Sequence, residues 1–317
     1  MRYALMTEPQ QGLSYDEILA AAKTAEEAGI EAFFRSDHYA SFPGGSGKPT
    51  TDAWATLAGL ARETRTIRLG TLVSPVTFRL PGNLAKVIQT VDEMSGGRVE
   101  AGFGAGWNED EHAQLGLRFP SIGERYDMLE EEMAIIHGLW TEADGWSFEG
   151  KHWQVKGAKR HGEIARGGRR HPHIVFGGKG GPRLASLVAT YGDEFNLNSA
   201  SPDDAPDAYA RVRAACAEVG RDPDEVVYSA MTGVLVAETE EDLRTRVADL
   251  LSAIGQSGTD GDAWLAERRK RWVMGTPDQA LERVAALEAQ GTQRIMLQDF
   301  VPRDLDHIRL MGRLFHP

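Results

Sequence analysis

Eight short apolar or β-branched runs, each followed by a longer run with helical spacing, place the strongest constraint on this chain. In order they are residues 2–7, 31–38, 67–75, 98–106, 173–178, 193–199, 226–237 and 294–300. Strands buried on both faces read as continuous apolar runs, and strand–helix alternation implies parallel pairing. Eight such units predict an α/β architecture closed on itself, the (β/α)8 TIM barrel, with insertion segments. An open doubly wound sheet with a second domain is the competing arrangement. No compositional break or linker divides the chain, however, so residues 1–317 read as one domain. The main insertion is the polar, glycine-rich stretch 141–171, with a hairpin pattern in "WSFEGKHWQVKG" (146–157). After the seventh strand, the spacing predicts a long helical region ending near Ala289.

The charge balance narrows the choice of partners. Against 47 acidic residues stand 35 basic ones, a net charge of -12, which argues against nucleic acid as a partner because phosphate contacts need clustered Lys and Arg. The basic runs Arg166–Arg170 and Arg268–Arg271 are short and read as solvated surface. The apolar start Met1–Met6 is too short for a signal peptide, and no run approaches a membrane span. The one cysteine, Cys216, sits in a helical pattern and reads as a small buried hydrophobe. These features predict a cytoplasmic protein that takes a small-molecule substrate, with no nucleic-acid or membrane partner.

Active sites of such barrels lie where strands end and the following loops begin. The chemically unusual exits are Asp37-His38, Leu72–Pro75, Gly102–Asp110, Gly177–Gly181 and Asn196–Ser199. Glycine at a strand exit, followed by a helix N-terminus, can bring N–H groups to an anion. "FGGKGGPRLAS" (176–186) and "GFGAGW" (102–107) are two such exits. The second is not a dinucleotide fingerprint, because Trp107 stands where the third glycine would be. The acidic run "NEDEH" (108–112) reads as a helix start, with Asn108 as N-cap and Glu111 completing a capping box. Adjacent helical residues diverge by about 100°, so these three acids and the histidine do not form a metal site. His171 and His173 lack a third partner in the sequence, and no metal is expected.

Taken together, "SDH" (36–38), "RLGTLVSPVTFRLPGNLAKVIQTVDEMSGGRVEAGFGAGWNEDEHAQLG" (68–116), "ERYDMLEEEMAIIHGLW" (124–140), "FEGKHWQVKGA" (148–158) and "FGGKGG" (176–181) carry a resemblance. The chain resembles the luciferase-like monooxygenase superfamily, in particular its class of oxidoreductases that use the deazaflavin coenzyme F420. The resemblance covers nearly the whole chain and implies the same barrel, with the cofactor ring at its C-terminal mouth. It implies that Ala105 and Gly106 on one side, and Gly177 and Gly178 on the other, meet the cofactor phosphate. Lys179 or Arg183 would meet the acidic tail, and Asp37, His38 and Asp110 would border the cofactor site. It also implies a non-prolyl cis peptide at Leu72-Val73, with Ser74 beside it. A prolyl cis bond at Ser74-Pro75 is energetically easier, so the residues leave both open.

His38 is the catalytic candidate, because an imidazole takes or supplies a proton near neutral pH. Glu8 and Trp107 are candidate substrate-pocket residues. Relatives that oxidise sugar phosphates carry a glutamate where this chain has Trp107, so that reaction is not implied here. The leading expectation is hydride exchange between F420 and a small organic substrate. An FMN-dependent monooxygenase of the same superfamily and a non-catalytic flavin-binding barrel are the alternatives. The resemblance further implies a homodimer.

Overall fold

The computed structural model describes residues 1–41, 47–159 and 170–315. Eight parallel strands close on themselves: β1 (Arg2–Thr7), β2 (Ala32–Arg35), β3 (Arg68–Thr71), β4 (Val99–Gly104), β5 (His173–Gly178), β6 (Glu194–Leu197), β7 (Val227–Val236) and β8 (Arg294–Asp299). Closure is made by β8 pairing with β1, Met6 opposite Gln298, and by β7 pairing with both β6 and β8. This is the TIM barrel expected from the alternation. A short strand, Ser74–Pro75, continues β3 along Phe103–Gly104 of β4.

Outside the barrel run α1 (Tyr15–Glu27), α2 (Ala53–Glu63), α3 (Pro81–Ser95), α4 (Glu109–Leu115), α5 (Ile122–Thr141), α6 (Pro182–Tyr191) and α7 (Ala205–Glu218). They are followed by α8 (Glu240–Ala253), α9 (Gly261–Arg268), α10 (Pro277–Glu288) and α11 (Leu305–Phe315). Their ends are written locally. The Ser14 hydroxyl accepts from the Glu17 N–H while the Glu17 carboxylate accepts from the Ser14 N–H, a reciprocal cap that starts α1. Gly96, in the left-handed region at φ 75°, stops α3. The apolar faces of α1, α2, α3, α5 and α6 bury against the outward side chains of the strands in one continuous core. Cys216 lies fully buried on α7.

The inside of the barrel is layered. At the floor, Glu100, His173, Glu194 and Arg294 face one another. Above them Ala4, Met6, Phe34, Val175, Met231 and Met296 fill the middle. The next inward positions open at the mouth.

Two stretches depart from expectation. The single helical region after β7 is an excursion plus a barrel helix. The helices α8 and α9, with their own small core around Leu235, Leu243, Val247 and Leu265, lead to a strand Val273–Gly275 beside β7. Only then does α10 begin, behind the Thr276/Gln279 capping box. A uniform helical pattern concealed the break because both parts are amphipathic. In the 141–171 insertion, Trp146–Glu149 and Gln154–Ala158 form an antiparallel hairpin. The Glu131 carboxylate on α5 accepts the N–H groups of Lys151, His152 and Trp153 at its turn. Residues 160–169, with most of the basic run Arg166–Arg170, lie outside the described residues. Among the described residues no helix is long and apolar enough to cross a membrane.

Candidate active site at the barrel mouth

The second strand delivers Asp37 and His38 to the mouth in different ways. Asp37 is buried and saturated: the Arg79 guanidinium donates to both its oxygens (2.5 and 3.1 Å) and the Ser74 hydroxyl donates at 2.8 Å. Arg79 also reaches Asp52 (2.6 Å) and the Tyr39 hydroxyl (2.9 Å), and the Trp54 indole N–H donates to Ser74. Asp37 and Ser74 thus belong to a knot that fixes the loop after β3. Burial opposes the Arg79 charge, but the Asp37 and Asp52 carboxylates outweigh it and raise its pKa.

His38 faces a different partner. Its Nδ1 lies 2.8 Å from Glu111 Oε1, and the other Glu111 oxygen accepts the Tyr39 N–H at 3.0 Å. The expected capping box is therefore incorrect. Asn108 occupies the N-cap of α4 but makes no side-chain cap, and the Glu111 carboxylate turns to His38 and the Tyr39 N–H instead of back to Asn108. Burial pulls the His38 pKa down, yet the hydrogen bond and charge of Glu111, with Glu8 and Asp37 behind them, leave it raised above its usual value. Trp107 packs edge-on to the imidazole at 5.6 Å and is 60% exposed, an unusual setting for an indole. Asp110, the neighbour of Glu111 on α4, is exposed.

The cis peptide is Leu72-Val73. Leu72 points into the barrel interior and Val73 lies against it. Val73 also supplies a reason for several glycines. A Cβ at Gly104 would stand 2.6 Å from Val73 Cγ2, and one at Gly177 would stand 2.7 Å from Val73 Cγ1. These two glycines make room for a side chain. At the same two exits Gly106, at φ 76°, and Gly180, at φ 66°, take the left-handed backbone that favours glycine. Beyond Ala105-Gly106 and Gly177-Gly178, α6 opens at Gly181 with no side-chain cap and with Pro182 in its first turn, leaving early N–H groups for an anion. The buried Asn198 Oδ1, without a hydrogen-bond partner among the described residues, lies beside Gly177. Lys179 sits at this exit, its ammonium on the Asn198 carbonyl at 2.6 Å. Arg183 is already gripped by Asp127 and Glu130 at 2.7–2.8 Å, so its charge is committed to the protein.

Glu8 leaves β1 into a polar notch. Its two oxygens accept from Gln298 (2.6 Å) and Gln10 (2.7 Å), and Gln10 in turn accepts from Ser36 (2.6 Å). Gln298 was missed in sequence, although an amide at an inward position of the apolar strand "RIMLQDF" was a signal. Glu111 and Arg79 were also missed, one explained away as a cap and the other lying in a loop. Glu132, on α5, gave no signal. Burial pushes it up to about 8 against a smaller opposing influence of Arg79, and both oxygens lack a partner among the described residues.

His173 does find partners, contrary to the sequence reading. With Glu100 and Glu194 it forms a set of metal-type ligands at the barrel floor. The guanidinium of Arg294 stands among them, 2.6 Å from Glu100 and 2.9 Å from Glu194, so a cation is already in place.

Residues 1–294 match the family described as luciferase-like monooxygenase. An F420-dependent glucose-6-phosphate dehydrogenase of Amycolatopsis mediterranei is 31% identical over 58% of this chain and 53% of its own length. The chain thus spans about half the length of that relative. A 5,10-methylenetetrahydromethanopterin reductase of Archaeoglobus fulgidus is 25% identical over 96% of both chains. A monooxygenase from Streptomyces bottropensis has the same fold, with a TM-score of 0.81 at 23% identity over 99% of this chain and 97% of its own.

Proposed function

The chain belongs to the luciferase-like monooxygenase family, and from that premise we propose that it is an oxidoreductase exchanging hydride between coenzyme F420 and a small organic substrate at the barrel mouth. The observation that carries the reading is the His38–Glu111 pair, a partly buried imidazole with a fixed carboxylate at a strand exit.

The residues present fit the cofactor. Ala105-Gly106, Gly177-Gly178 and the uncapped start of α6 would hold its phosphate, and Lys179 would meet its acidic tail. Bound there, F420 supplies the hydride donor or acceptor. Leu72 and Val73 give the interior an apolar backing that excludes water. Glu111 fixes Nδ1 of His38, so proton exchange with a substrate hydroxyl or carbonyl runs through Nε2. Trp107 forms one wall of the substrate space. Similarity to F420-dependent glucose-6-phosphate dehydrogenases supports this cofactor over FMN.

Titrating the purified protein separately with F420 and FMN, read by fluorescence quenching, tests the choice. Tight FMN binding without F420 binding would move the chain to the oxygen-using branch of the family. F420 binding without turnover on a broad panel of alcohols and carbonyls would favour a carrier. His38→Ala is expected to lower turnover by about 10²–10⁴-fold, the usual contribution of a general acid–base, while leaving F420 affinity nearly unchanged.

A further inference from the structure

The excursion between β7 and α10 brings an aromatic pair over the mouth. Met231 and Met296 face each other inside the barrel, and the next inward row is Gly233, Gln298 and, on β1, Met6. Gly233 has no side chain because Trp272 occupies the place: a Cβ there would overlap the indole. Trp272 is held by the Thr232 hydroxyl, which donates to the neighbouring Arg271 carbonyl at 3.0 Å, and by the Val273–Val234 pairing. Its ring stacks on Phe300 at 5.1 Å and 13°, immediately beyond the end of β8. Both rings are only partly buried. Directly alongside lies Gln298, the residue that holds Glu8.

We infer that Trp272 and Phe300 form the specificity wall of the substrate site and select a planar aromatic compound bearing a hydroxyl or amine. The inference rests on the substrate lying at the barrel mouth, as proposed above. A flat apolar body meets the stacked rings, and the hydroxyl or amine donates to Glu8 in the adjoining notch. Arg271, the sequence neighbour of Trp272, is committed to Asp204 at 2.7 Å and to the Ser199 carbonyl at 3.0 Å, while the Arg268 guanidinium lies over the Trp272 ring at 5.4 Å and Trp264 meets that ring edge-on at 5.5 Å.

Calorimetric titration of the full chain with 2-naphthol and with its saturated counterpart decahydro-2-naphthol tests this, with and without F420. The planar compound is expected to bind about tenfold more tightly, the order of one aromatic contact. Trp272→Leu should remove that preference while keeping apolar bulk. A merely structural role would weaken both compounds together and leave their ratio intact. If Trp272→Leu fails to fold, Phe300→Leu gives the same reading. Equal affinities in the unchanged protein, or a preference that survives substitution, overturn the wall. Failure of F420 to bind while the preference persists counts against the cofactor alone.

Discussion

At the floor of the barrel, Glu100 and Glu194 share the guanidinium of Arg294 and His173 bonds Glu194; at the mouth, Glu111 and His38 hold each other and Glu8 is held by two neutral amides. The residue types are alike, but the compensation differs. Floor acids are neutralised by a fully buried arginine, with Arg68 on Glu100 and Glu31 on Arg294 completing the network. Mouth acids are fixed by donors that leave a proton or a ligand something to act on. Charge that is balanced and enclosed serves stability, whereas charge that is fixed yet reachable serves chemistry.

The largest effect should come from removing the floor cation. Arg294→Met leaves Glu100 and Glu194 buried without their main partner, which costs about 3–5 kcal/mol by the usual penalty for breaking a buried pair. Urea denaturation measures it. In the unchanged protein, burial acts to raise both carboxyls, but Arg294 outweighs it and leaves both depressed. Their stabilisation is present above the ordinary carboxyl range and is lost as pH falls through the depressed values. Without Arg294 the burial influence remains and protonation relieves it, so the stability gap should narrow in acid. A gap independent of pH would break the contrast drawn between the two ends.

A smaller effect is expected at the mouth. Glu111→Gln removes both the hydrogen-bonded anion and its charge from His38, leaving burial to pull the imidazole down against only the smaller influences of Glu8 and Asp37. The His38-dependent limb of the pH–rate profile should move to lower pH, with turnover reduced about tenfold. The paired imidazolium stabilises the fold below the ordinary histidine value, and this stabilisation is lost as pH rises through the raised one. An NMR titration of His38 reads the same shift without turnover. An unmoved limb would mean that Glu111 only anchors the Tyr39 N–H.

Much of this contrast is written in local pattern. The eight strands are legible because burial on both faces leaves unbroken apolar runs, and the exits are legible because glycine, histidine and acid cluster there. The partnership of Glu111 with His38 is not, since it spans 73 positions and its local alternative, a cap, satisfies every short-range rule. Likewise Gly104 looks like part of a phosphate cradle until Val73 is seen against it. Trp272 is invisible as a mouth residue because its place depends on the strand Val273–Gly275 inside a helical stretch. Short-range signals report backbone form; which side chain meets which is set by closure of the barrel.

The smallest effect belongs to Arg183, which makes the same two-carboxylate grip as Arg294 but on the rim. Its side chain is 38% exposed, against 0% for Arg294. Water already solvates both partners there, so the pair gains little over the unfolded chain and salt screens what it gains. Arg183→Ala should shift the urea midpoint slightly at low salt and not measurably at high salt. Because Asp127 and Glu130 already occupy the guanidinium, the variant should also bind F420 species of short and long acidic tail with unchanged relative affinity. A selective loss for the long tail would show that the rim arginine exchanges its carboxylates for those of the cofactor, and would move it from the structural to the binding side of the comparison.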